Sequence, residues 1–118
     1  MNGWKFSGDR PIYTQLIEQL IRKIICGEYG LGEKLPSVRD LAALSGVNPN
    51  TMQKALSELE RTELISTQRT TGKTVTEDKK LIDSVRIELA TKEIDEFLDN
   101  MKNLGFDKEE IIEIIKKA

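Results

Sequence analysis

The stretch "LSGVNPNT", Leu44 to Thr51, packs a glycine, two asparagines and a proline into a few residues, with an apolar-periodic segment on either side. Gly tolerates positive φ, Pro fixes φ and Asn bonds back to its local backbone, so singly these residues mark a turn. Their order says more. Gly46 stands where a helix usually stops, Asn48 is a good N-cap, and Pro49 takes the first helical position, where its missing N–H costs nothing. Two short helices therefore meet across a tight turn, which fits a helix-turn-helix and equally any compact helical corner.

Working outward, Leu35-Pro36 stops the chain, Ser37 can cap, and Asp40 three residues on approximates a capping box, so the helix before the turn runs to about Ser45. After the turn, Met52, Ala55, Leu56 and Leu59 keep helical spacing over Pro49 to Thr62. The opposite surface is left to Asn50, Thr51, Gln53, Lys54 and Ser57, a polar face with little acid. Further upstream, Ile12, Leu16, Leu20 and Ile24, flanked by Ile17 and Ile21, make a first helix over Pro11 to Ile25, followed by a link punctuated by Gly27, Gly30 and Gly32. Downstream, "LISTQRTTGKTVT" places β-prone pieces at Leu64–Thr67 and Thr74–Thr76 around a tip of Arg69, Thr70, Thr71, Gly72 and Lys73, which predicts a small hairpin.

Beyond Thr76 the chain turns charged and helical from about Asp78 to Asn103, with Val85, Leu89, Phe97, Leu98, Met101 and Leu104 as its apolar positions. Gly105 ends that helix. A last one begins at Asp107, with Glu110 as capping-box partner and Phe106 with Ile111 as a hydrophobic staple. The expected fold is mainly α with a small β-hairpin: a winged helix-turn-helix over 1–76, then a C-terminal helical dimerisation segment over 77–118. A long helix carrying Phe97, Leu98 and Met101 has little domain behind it, so Val85, Leu89, Phe97, Leu98, Met101 and Leu104 are expected to face a second copy.

Composition narrows the function. Residues 34–73 hold six basic and four acidic side chains, whereas residues 77–118 hold eight basic and twelve acidic, so a polyanion is better tolerated by the middle than by the tail. Cys26 stands alone and reads as a small, at least half-buried residue rather than a sensor. No basic-then-apolar leader and no run of the roughly 18 apolar residues that span a bilayer is present, so the expected place is the cytoplasm, away from membranes. The chain has no His, no Cys pair, no phosphate-binding glycine loop and no Ser-centred nucleophile elbow, so neither catalysis nor a metal or other cofactor is expected.

Helix, helix, tight turn, helix and a hairpin with a basic tip is the order in which a third helix enters the major groove while the wing reaches neighbouring backbone. Asn and Gln read base edges bidentately, Thr bonds phosphates or touches a thymine methyl, Arg and Lys supply charge, and the start of the third helix adds phosphate donors. Against this stand plainer readings. Arg39 is also an ordinary solvated charge, Asn48 and Pro49 are explained by cap geometry, and Arg69 and Lys73 also serve to keep an edge soluble.

The run "LPSVRDLAALSGVNPNTMQKALSELERTELI", Leu35 to Ile65, resembles the DNA-binding signature of the GntR family of bacterial transcription regulators. "PIYTQLIEQLIRKIICGEYGLGEKLPS" resembles its first helix and linker, and "LGFDKEEIIEII" with the short tail resembles its YtrA subfamily. The resemblance implies a homodimer on an inverted-repeat operator, with Arg39 on the duplex near the start of helix two and Pro49, Asn50, Thr51 and Gln53 at the groove; Lys54 beside them is a further candidate contact, and a repressor is the expected role. It also implies a wing tip, Arg69 with Thr71, Gly72 and Lys73, in or beside the minor groove. Many members have Arg where this chain has Pro49 and Gln53, so base preference does not carry over. The family's Gly-x-Gly-Thr wing reads Thr71-Gly72-Lys73-Thr74, without its first glycine. The alternative is a winged helix used as a protein–protein module. No residue cluster identifies a small-molecule effector.

Overall fold

A computed structural model describes residues 3–118, which form two compact units, one ending at Asp83 and the other spanning Ser84–Ala118. The first unit holds α1 (Ile12–Ile25), α2 (Val38–Ser45), α3 (Pro49–Arg61), the strands β1 (Ile65–Gln68) and β2 (Gly72–Val75), and the first turn of α4 (Lys79–Asn103). The second holds the rest of α4 and α5 (Lys108–Lys117).

The apolar positions that set the helical spacing are the ones buried. Leu16, Leu20 and Ile24 of α1 meet Met52, Ala55, Leu56 and Leu59 of α3, which also packs on Leu41 and Ala42 of α2. Each fully buried leucine contributes roughly 1.5–3 kcal/mol over an exposed one, so α3 is fixed from behind while its other side stays free. Leu64, Ile65 and Val75 close the core beneath the hairpin, and Leu35 and Val47 close it at the ends of α2.

The turn between α2 and α3 forms as its residue order demands. Gly46 caps α2 in the left-handed conformation at φ +71°, the Val47 N–H donates to Ala42 O at 3.1 Å, and the Asn48 side chain accepts the Asn50 N–H at 2.8 Å. Pro49 opens α3. At the other end of that helix Glu63, at φ +68°, is the only non-glycine in the left-handed region among the described residues, a conformation costing on the order of 1 kcal/mol.

The strands pair antiparallel with Ile65 opposite Val75 and Gln68 opposite Gly72. This corrects the sequence expectation, because Gly72 and Lys73 lie in β2 and only Arg69, Thr70 and Thr71 form the turn. Gly72, at φ +82°, supplies the one left-handed residue the turn requires, while Thr71 has an ordinary φ, so the missing first glycine of the wing motif leaves no strain. The outer edge of β2 is covered by the linker: Leu35 N donates to Lys73 O and Val75 N to Glu33 O, both at 2.9 Å.

An N-terminal arm unforeseen from the sequence lies antiparallel along α1. Gln19 exchanges hydrogen bonds with the backbone N–H and C=O of Lys5 at 3.1 and 2.6 Å, and Gln15 does the same with Ser7 at 2.8 Å each way. Four helical residues rise about 6 Å and two extended residues advance about 6.6 Å, so glutamines at i and i+4 match alternate arm residues. Trp4 covers the ammonium of Lys23 at 4.6 Å from its ring centroid. Cys26, which caps the end of α1, is exposed rather than buried, because the chain leaves the helix there toward the glycine link.

In the second unit α4 stops at Gly105, where the Phe106 N–H returns to Met101 O at 3.2 Å. Asp107 and Glu110 then form the complete capping box, with reciprocal bonds of 2.8 and 3.0 Å, and Ile111 is buried. Much else that is apolar here stays in solvent, including Ile87, Ile94, Phe97, Leu104, Ile112, Ile114 and Ile115.

Candidate nucleic-acid interface

The buried face of α3 fixes what its outer face presents. Pro49, Asn50, Gln53, Lys54 and Ser57 are exposed and Thr51 is half-buried, so the first two turns offer amides, a hydroxyl and one ammonium. Asn48 takes the Asn50 N–H with its side chain and the Met52 N–H with its carbonyl, and Pro49 has none to give, so the Thr51 N–H is the backbone donor left in the first turn. Gln53 Nε2 reaches Ser57 Oγ only at 3.4 Å, a long bond that is readily exchanged for a ligand.

Several cations of the first unit are held by nearby carboxylates. Arg61 is bonded to Glu58 at 3.2 Å, Arg10 to Glu18 at 2.9 Å and Lys79 to Asp83 at 2.8 Å. Among the described residues Arg39, Lys54 and Arg69 are exposed and none is bonded to an acidic side chain. Arg39 projects from the first turn of α2, just after Ser37 accepts the Asp40 N–H at 3.0 Å.

The start of α2 and the wing share a cleft of about 370 Å³, lined by Lys34 and Ser37 on one side and Thr67, Thr70, Thr71 and Gly72 on the other. Arg69, Thr70 and Thr71 are exposed at its outer end. Lys73 is placed differently. Its side chain is only 15% exposed and its ammonium is bonded to the Glu60 carboxylate near the end of α3. That carboxylate also accepts from Thr67 Oγ1 at 2.7 Å, and Lys73 Nζ reaches the same hydroxyl at 3.1 Å. The bonds from Lys73 first and Thr67 second hold the Glu60 carboxyl below its ordinary range, so it is ionised at neutral pH.

The structure thus brings Thr71, Gly72 and Lys73 beside the start of α2, and presents Asn50, Gln53 and Lys54 together on α3. Ser57 lies on the outward face where the sequence puts it, and Lys34 and Glu60 lie close by although the sequence did not single them out. A lysine before a helix cap is commonplace, and the Glu60 bond joins residues thirteen apart.

The tail residues divide. Phe97 and Leu104 are exposed, while Val85, Leu89, Leu98 and Met101 are half-buried. Ile87, Ala90, Ile94, Phe97, Met101 and Leu104 fall at alternating steps of three and four, the spacing of a helix-pairing seam. Ile87 and Ile94, 66% and 56% exposed, complete that seam and were missed because several apolar stripes overlap on α4. No helix among the described residues is long and apolar enough to cross a membrane.

Comparison with known proteins agrees with this geometry. The family described as "Bacterial regulatory proteins, gntR family" matches residues 12–75. YhcF of Bacillus subtilis (strain 168), an uncharacterized HTH-type transcriptional regulator, is 38% identical over 112 residues, 95% of this chain and 93% of the relative. The HTH-type transcriptional repressor YtrA of the same organism is 35% identical over 91% of this chain and 83% of its own. A solved GntR family transcriptional regulator from Listeria monocytogenes is 43% identical, with a TM-score of 0.87 over 96% of this chain and 99% of that one. With its tight turn, outward polar helix and wing accounted for, the chain belongs to the GntR family, as a DNA-binding winged helix-turn-helix transcription regulator and not an enzyme.

Proposed function

We propose that the protein is a cytoplasmic homodimeric repressor that reads an inverted-repeat operator. Residues 1–76 serve as the DNA-binding part and 77–118 as the dimerisation tail. In each subunit the start of α3 enters the major groove, with Pro49, Asn50, Thr51 and Gln53 at base edges and Lys54 at the flanking phosphates. Arg39 contacts the strand that passes the start of α2, and the wing supplies Arg69, Thr71 and Gly72 to the adjacent backbone or minor groove, with Lys73 bonded to Glu60 behind them. The observation that carries this reading is the set of unpaired cations, Arg39, Lys54 and Arg69, around an outward helix face of uncharged hydrogen-bonding groups. The exposed seam on α4 supports a second copy as partner, with Val85, Leu89 and Leu98 beside it and Phe97, Met101 and Leu104 within it. The repressor role follows the relative YtrA, which bears that description.

Titrating the protein against promoter duplexes at several salt concentrations tests the reading. Tight binding whose log affinity falls linearly with log salt, by about 0.9 per phosphate neutralised, is expected. Absence of binding to any duplex, its own promoter included, would support the winged-helix protein–protein module instead.

A further inference from the structure

One side-chain cluster behind the interface has no part in the contacts assigned so far. Thr67 and Lys73 are directly opposed across the hairpin, and both converge on Glu60, near the end of α3. The base of the hairpin is anchored by buried Ile65 and Val75, but the distal residues Ser66, Thr67 and Gln68 are exposed and have no apolar anchor. The Glu60 bonds therefore tie the outer half of the wing to the helix that presents Asn50 and Gln53. The pair is also partly withdrawn from water, with Lys73 15% and Glu60 33% exposed, which strengthens it over a surface pair.

We propose that Glu60 is a positioning residue for DNA recognition: by holding Lys73 and Thr67 it sets the wing at a fixed distance from the groove-reading face of α3. Lys73 then works from behind the wing, and Arg69 is the wing's free cation. A negative charge this close to a polyanion is unfavourable for binding by itself, so its value lies in the geometry it imposes. The inference rests on the reading of α3 and wing as the duplex contact.

The test pairs Glu60→Gln, Lys73→Met and the double variant with two duplexes, one carrying the half-sites with their wing-contacted flanks and one trimmed of those flanks. On the long duplex Glu60→Gln is expected to weaken binding on the order of tenfold, the loss of about one charge-assisted contact. On the trimmed duplex it should match the wild type. Lys73→Met should behave alike, and the double variant should lose no more than either single one, because both break one tie. Amide exchange at Gln68 to Gly72 should rise in each variant without DNA. Unchanged or tighter binding of the long duplex by Glu60→Gln, or unaltered wing exchange, would overturn the proposal. Wild-type protein that binds neither duplex would instead remove the reading on which it rests.

Discussion

Substituting Ile94→Glu together with Phe97→Glu is expected to leave each subunit folded but monomeric, and to weaken binding to a two-half-site duplex about 10²–10⁴-fold. The two residues are 56% and 42% exposed in the single chain, so charge there opens no core. In a paired seam the same positions lie between helices, where unpartnered carboxylates are costly. Once the subunits separate, the second half-site is no longer delivered at high effective concentration, and only single-site affinity remains. Sedimentation and duplex titration check the two halves of the expectation. A double variant that sediments as a dimer would place the interface elsewhere, and one that binds both duplexes like the wild type would make dimerisation irrelevant to binding.

Arg39→Ala carries the next largest effect, a loss of roughly 1–3 kcal/mol in duplex binding with thermal stability unchanged. Arg39 is exposed on the first turn of α2 and bonded to no acidic side chain among the described residues, so its removal leaves nothing unpaired within the fold. Arg39→Lys keeps the charge but loses the planar fork, so recovery by Lys would mark a point-charge contact to phosphate rather than bidentate readout. Unchanged affinity in Arg39→Ala would take the residue out of the interface.

What the sequence made legible is chemistry that acts over a few residues. Gly46, Asn48 and Pro49 each act on their own backbone, so the turn and the start of α3 could be written down from residue order alone. The Asp107–Glu110 capping box closed for the same reason. Residue order alone places Gly72 in the tip, because its left-handed φ takes meaning only once Gln68 is known to lie opposite. The missed features depend on distant partners. Gln15 and Gln19 look like ordinary surface of α1 until the arm lies beside them, and Glu60 looks like one more helix charge until the hairpin folds back to it. On α4, spacing allowed several apolar stripes, and only exposure singled out the one through Ile87 and Ile94.

Selection of bound duplexes from a random pool tests the central claim, that the outward side of α3 reads base edges and a twin subunit repeats the contact. The expected result is an inverted repeat whose half-site centres lie about 10–10.5 base pairs apart or a multiple of that, lost when Asn50 and Gln53 are both changed to Ala. Recovery of no common sequence by the wild-type protein, or of the same sequence by the Asn50→Ala/Gln53→Ala variant, would contradict it.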